Sequence, residues 1–131
     1  MTKLRKFTAS RVRSFGHALE GWWYVMRTQR NAWLHAAIAL AIFGVCLWLQ
    51  LDALRWAIIV LTTAMVFAAE FFNTAIEVVV DLASPSHHPL AKLGKDIAAA
   101  AVLLTALAAV LVGILVLGPP VFERIQSMFI R

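Results

Sequence analysis

The chain has 131 residues, of which 62% are hydrophobic and 15% charged, with a formal net charge of +5 and a mean hydropathy of +0.81. Water-soluble domains run at about 45–50% apolar and about 25% charged, so this composition excludes a soluble fold and a disordered chain alike. One domain (1–131) accounts for the length, and the single cysteine, Cys46, leaves no disulfide framework and no thiolate metal cluster.

Residues 1–30 carry Lys3, Arg5, Lys6, Arg11, Arg13, Arg27 and Arg30 against one acid, Glu20. This basic stretch does not read as a secretory signal, for it has no apolar h-region. Leu4, Phe7, Val12, Phe15, Leu19, Trp22 and Met26 recur at three- and four-residue steps, which predicts a helix with one apolar face. A basic, tryptophan-bearing amphipathic helix ahead of a membrane span is expected to lie in the lipid interface. Nucleic acid is the competing partner for positive charge, but no base-reading motif accompanies it, and none is expected to bind.

Three apolar runs follow, predicted as transmembrane helices over 32–50, 53–82 and 92–117. Each approaches the roughly 20 residues that cross a hydrocarbon core of about 30 Å. Only helices or closed barrels satisfy their backbone there, and three long runs cannot close a barrel. Gln50–Asp52 forms a tight link, and the prolines of Ser84-Pro85-Ser86-His87-His88-Pro89 mark a loop. Gly118-Pro119-Pro120 is expected to stop the third span and leave a short tail, 118–131. Basic residues crowd the N-terminal segment and recur as Lys92 and Lys95, which orients both toward the cytoplasm. The expected fold is an all-α membrane protein of an interfacial helix plus three spans.

Polar residues inside the second span are the strongest functional signal. Glu70, Asn73, Thr74, Glu77 and Asp81 fall, at about 100° per residue, within a stripe roughly 100° wide. One charge near the bilayer centre costs at least about 2.5–3.5 kcal/mol, so these groups need partners, cations or water. Lys92, Lys95 and Asp96 open the next helix, whose N-terminus favours phosphate. Ala98-Ala99-Ala100-Ala101 behind them permits close helix packing. Carboxylates beside a lysine and a helix terminus suit Mg²⁺ shared with substrate phosphates. A deeper, partly desolvated carboxylate suits a base acting on a lipid hydroxyl, and phosphoryl transfer needs mainly positioning and charge neutralisation. No Walker-type glycine loop or protein-kinase signature is present. Two alternatives stay open on spacing alone: a proton or cation path, and structural neutralisation of Lys92, Lys95 or the basic helix. His35 reads as hydrogen-bonded packing, and His87 and His88 as loop residues.

The run Glu70-Phe-Phe-Asn73-Thr-Ala-Ile-Glu77-Val-Val-Val-Asp81, with His88-Pro-Leu-Ala-Lys92-Leu-Gly-Lys95-Asp96-Ile-Ala-Ala-Ala-Ala-Val102 downstream, resembles the small prokaryotic lipid kinases. These are the bacterial diacylglycerol kinase and undecaprenol kinase family, and the likeness covers about residues 10–117. The resemblance implies a homotrimer in the inner (plasma) membrane, with ATP and Mg²⁺ on the cytoplasmic side and a lipid hydroxyl entering from the bilayer. It implies Glu70 as catalytic base and Glu77 as Mg²⁺ ligand. Lys95 and Asp96 would contact the nucleotide, Asn73 and Asp81 would support the site, and His88 would lie near the nucleoside. Undecaprenol is the preferred acceptor on Arg30-Asn31…His35 and His88–Lys92, with diacylglycerol the alternative and a degenerate, non-catalytic subunit a further one. The chain departs from the family's pattern at Gln29, where a glutamate serves as second metal ligand; the lost charge predicts weaker Mg²⁺ binding. His17 stands where an aromatic nucleotide contact is usual, and Ser86 where some members carry an acid. These two bear on adenine recognition more than on phosphoryl transfer.

Overall fold

The computed structural model describes the backbone of residues 3–130 and the side chains of residues 11–130; the side chains of Lys3, Leu4, Arg5, Lys6 and Phe7, and Arg131, lie outside the described residues. The described chain is helical almost throughout, in the order α1 (Lys3–Thr28), α2 (Arg30–Trp48), α3 (Ala53–Ala83) and α4 (Pro89–Phe129). The last three are long and apolar enough to cross a membrane, so the protein is a multi-pass membrane protein with three spans.

Short joints set how these rods meet. Gln29 alone separates α1 from α2, with extended φ −102° and ψ 113°. Across it the Trp33 indole N–H donates to the Met26 carbonyl at 2.7 Å, satisfying one of the acceptors a helix end leaves free. The expected amphipathic segment 1–30 therefore divides one residue early, and α2 begins at Arg30 rather than at residue 32. α2 ends in a Schellman turn: Leu51 N–H donates to Cys46 O at 3.2 Å and Gln50 N–H to Leu47 O at 3.1 Å. Gln50 takes the left-handed position, φ 53°. Asp52 then caps α3, accepting from Arg55 N–H at 3.0 Å and from the Arg55 guanidinium at 2.8 Å. The Arg55 N–H bond, with the guanidinium charge, holds the Asp52 carboxyl below the ordinary carboxylate range.

Cys46, Ile59 and Leu117 are buried where α2, α3 and α4 converge beside this link, with Phe43, Leu51 and Trp56 packed around them. The Cys46 side chain is a small buried core group. The most extensive packing joins α3 to α4, and it buries Ala98 and Val102 on α4.

Two expectations about α4 need correction. It starts at Pro89, not at residue 92, because His88 caps it: the His88 Nδ1 accepts from Leu90 N–H at 3.2 Å. Pro89 sits in the first turn, where its missing N–H removes nothing from the helix. Nor does Gly118-Pro119-Pro120 end α4, which runs on to Phe129. Proline's fixed φ near −65° is itself helical. Gly118 also has no Cβ to clash with the ring of Pro119. What the prolines remove are two ladder hydrogen bonds, to the carbonyls of Leu115 and Val116. The path of the backbone survives.

Candidate active site

The polar stripe on α3 grows more exposed along the helix, from buried Glu70, Asn73 and Thr74 through half-buried Glu77 to exposed Asp81. Glu70 is only 1% exposed. Both of its carboxyl oxygens, and Asn73 Oδ1, are buried without a hydrogen-bond partner among the described residues. Buried polar groups are almost always paired, because leaving one unpaired costs about 1–3 kcal/mol. A cluster of three such oxygens on one helix face marks a place where stability yields to chemistry. Thr74 does not relieve it, since its hydroxyl donates to the Glu70 main-chain carbonyl at 2.9 Å.

α1 packs against α3 in the region of Glu70. The Trp22 ring lies 5.0 Å from Phe71 and 6.2 Å from Phe67, and His35 meets Phe67 edge-on at 6.4 Å. Phe67 lies about one helical turn before Glu70 and Phe71 follows it directly, so the aromatic packing with Trp22 lies on the flank of α3 next to the acid. Sequence reasoning assigned Trp22 to interfacial anchoring and gave Phe67 and Phe71 no role. Their i, i+4 spacing around an intramembrane acid was the available signal.

Two turns further, the joint between α1 and α2 meets the stripe. Gln29 Nε2 donates to one Glu77 carboxyl oxygen at 3.3 Å, and Asn73 Nδ2 donates to the other at 3.2 Å. The extended backbone at Gln29 lets its side chain leave the helix axis and reach α3. The structure thus brings together the two residues singled out for metal, Glu77 and Gln29, with Asn73 beside them. Both amides turn their nitrogens to the Glu77 carboxylate; with the side-chain amides turned over, one carboxylate and two amide oxygens would make an all-oxygen donor set, and Asn73 Oδ1 is already buried and unpartnered among the described residues. Mg²⁺ takes such a set, because it keeps several waters and needs few protein ligands beside phosphate. Among the described residues no group of three His, Cys, Asp or Glu side chains gathers to hold a metal by itself.

At the mouth of the stripe Lys95 Nζ donates to Asp81 Oδ1 at 2.5 Å, tying α4 to α3. Lys92 pairs with Asp96 at 2.6 Å, one turn along α4. Asp96 therefore faces Lys92 and not the α3 acids. His88 is engaged as the cap described above. His17 is exposed on α1, with Nδ1 3.4 Å from Glu20 Oε2. The described geometry gives Ser86 only its main-chain carbonyl's bond from the Ser84 hydroxyl. The assembled set offers a buried carboxylate, polar side chains about 10 Å further along the helix, and lysine charge at the exit.

A family model described as prokaryotic diacylglycerol kinase matches residues 16–117. An undecaprenol kinase of Bacillus subtilis is 43% identical over 107 residues, covering 82% of this chain and 87% of that protein. A diacylglycerol kinase of Synechocystis is 45% identical over 111 residues, covering 84% of this chain and 63% of its own longer length. The diacylglycerol kinase of Escherichia coli K12 is 30% identical over 111 residues, covering 79% of this chain and 90% of its own length.

Proposed function

The chain belongs to the prokaryotic diacylglycerol kinase family, which makes it a membrane lipid kinase, and from that premise we propose that it moves the γ-phosphate of ATP onto undecaprenol. The observation that carries the reading is the buried, unpartnered Glu70 carboxyl on the same helix face as the Gln29–Glu77–Asn73 cluster. Diacylglycerol is the alternative acceptor. The relative named undecaprenol kinase matches at 43% identity, against 30% for the Escherichia coli diacylglycerol kinase.

In this mechanism the lipid hydroxyl approaches Glu70 along the Trp22–Phe71 wall, and a Glu70 oxygen takes its proton as the lipid oxygen attacks the γ-phosphorus. The bond to the β-phosphate oxygen breaks and ADP leaves. Glu77, Asn73 and Gln29 would hold Mg²⁺, which when bound neutralises charge on the phosphate oxygens. Lys95, drawn from Asp81 to the phosphates, offsets the charge of the transferring group, and Asp96 and His88 line the nucleotide at the amino end of α4. His17, which lies 3.4 Å from Glu20 on the exposed face of α1, is a further candidate for contact with the nucleotide. We place the nucleotide on the cytoplasmic face of the inner membrane, following the basic residues of α1 and the 84–95 region. There α1 lies in the lipid interface with Phe15 and Leu19, both widely exposed, turned to lipid. A homotrimer fits the family and gives His17 a route to a neighbouring subunit's site.

Purified protein given labelled ATP, Mg²⁺, undecaprenol and diacylglycerol tests the reading. Labelled undecaprenyl phosphate is expected. Phosphatidic acid alone would reassign the acceptor, and no labelled lipid would indicate a non-catalytic subunit.

Gln29 carries a prediction of its own. Its amide donates a hydrogen bond to Glu77, whereas a glutamate there would set two carboxylates side by side. Gln29→Glu is therefore expected to lower the melting temperature in chelator and to recover it on adding Mg²⁺. The Mg²⁺ midpoint of activity should fall by about tenfold, since a unit charge near the ion is worth about 1–4 kcal/mol. Melting curves and activity titrations with and without Mg²⁺ check both; an unchanged midpoint rejects the metal assignment.

A further inference from the structure

α4 outruns the membrane. Residues 97–117 rise about 30 Å, enough to fill the hydrocarbon core, yet the helix continues for about another 17 Å to Phe129. The family model matches residues 16–117, and this extension lies beyond it.

Its side chains segregate. Leu107, Leu111, Ile114, Phe122, Ile125 and Phe129 lie along one face in steps of three and four residues, with Gly118 completing the row. Every one of these positions is exposed, Phe122 at 67% and Phe129 at 85%. Below the prolines the row consists of large aliphatic residues, while Ala106, Ala109 and Gly113 occupy the opposite, packed face. Small residues mark helix–helix contact within a membrane, and large aliphatic ones mark lipid. The lipid-facing stripe of the span thus runs without change of register into the extension. Beyond the prolines the opposite face turns polar, and it is directed at the bundle. Arg124 and Ser127, with Met128 at the edge, line a cleft against Trp48, and the Arg124 guanidinium lies over the Trp48 ring at 5.9 Å. An outward apolar face and an inward polar one do not suit water.

We propose that residues 119–129 are a lipid anchor: the helix tips at Gly118-Pro119-Pro120 and sets Phe122, Ile125 and Phe129 into the acyl–headgroup boundary of the leaflet opposite the acidic stripe. Two missing ladder bonds make the proline pair the soft point for tipping. Arg124 stays at headgroup level, where its charge meets lipid phosphate.

The test uses full-length protein in phosphatidylethanolamine–phosphatidylglycerol vesicles, with spin labels on Phe122→Cys, Ile125→Cys and Phe129→Cys. Glu123→Cys and Ser127→Cys report the polar face, and Leu107→Cys gives the in-membrane reference. Cys46 stays in place, fully buried, and the unsubstituted chain controls for its labelling. At positions 122, 125 and 129 collisions with oxygen are expected to exceed those with a water-soluble nickel chelate by about tenfold, as at Leu107. The order should reverse at 123 and 127. Nickel access at 122, 125 and 129 would place the segment in water and overturn the proposal. Exclusion of both reagents there, with spin–spin broadening between copies, would overturn it in favour of a second copy of this chain.

Discussion

Glu70→Gln is expected to lower lipid phosphorylation by about 10²–10⁴-fold, the range for losing a positioned proton acceptor, while ATP affinity and fold stay intact. The substitution keeps the shape of the side chain and removes its basicity. Glu70 is buried, and neither carboxyl oxygen has a partner among the described residues, so no hydrogen bond is lost. Burying an unpaired charge costs more than burying an amide, and the variant should therefore melt at the same temperature or higher. A gain in stability at the expense of activity is a signature of a functional acid. Labelled phosphate transfer, equilibrium ATP binding and a melting curve measure the three quantities on one preparation. Parallel loss of transfer and of ATP affinity, with a lowered melting temperature, would identify Glu70 as a structural acid.

Lys95→Met carries the second large effect. Lys95 is bonded to Asp81 across α3 and α4, which admits two roles: a structural tie, or a cation held ready for phosphate. The two differ in magnitude. An exposed ion pair contributes about 0–1 kcal/mol, and the Asp81 side chain is 67% exposed. Loss of one group aimed at developing phosphate charge costs about 10²–10³-fold in turnover. Lys95→Met should therefore reduce turnover by about 10²-fold with a small change in melting temperature, and Asp81→Asn should reduce turnover far less. Kinetics on the two single variants and the double variant check this. Equal losses in both single variants would make the pair structural.

The broad fold was legible because a bilayer narrows the choices. Apolar runs of sufficient length must become helices, and the acids at residues 70, 77 and 81 must share a face if they are to avoid lipid. The Lys92–Asp96 pair is likewise readable from its four-residue spacing. The lateral contacts were not readable. Gln29 meets Glu77 across 48 residues of chain, and only the single extended residue between α1 and α2 makes that reach possible. Trp22 against Phe67 and Phe71 depends on how α1 folds back over α3, which periodicity within one helix does not encode. The proline pair at 119–120 was misread for a physical reason. Proline reports a lost hydrogen bond, and the end of a helix follows only when steric or solvent terms add to that loss. The contact of His17 with Glu20 is readable from its three-residue spacing.

The central claim is that the carboxylate row of α3 holds divalent metal together with triphosphate, at the place where Glu77, Gln29 and Asn73 meet. Titration of Mn²⁺ by electron paramagnetic resonance, in the presence of a non-hydrolysable ATP analogue, tests it on the intact protein. The unsubstituted chain should bind Mn²⁺ only when the analogue is present, and Glu77→Gln should weaken that binding by about tenfold or more. Equal Mn²⁺ affinity in the two proteins would contradict the account.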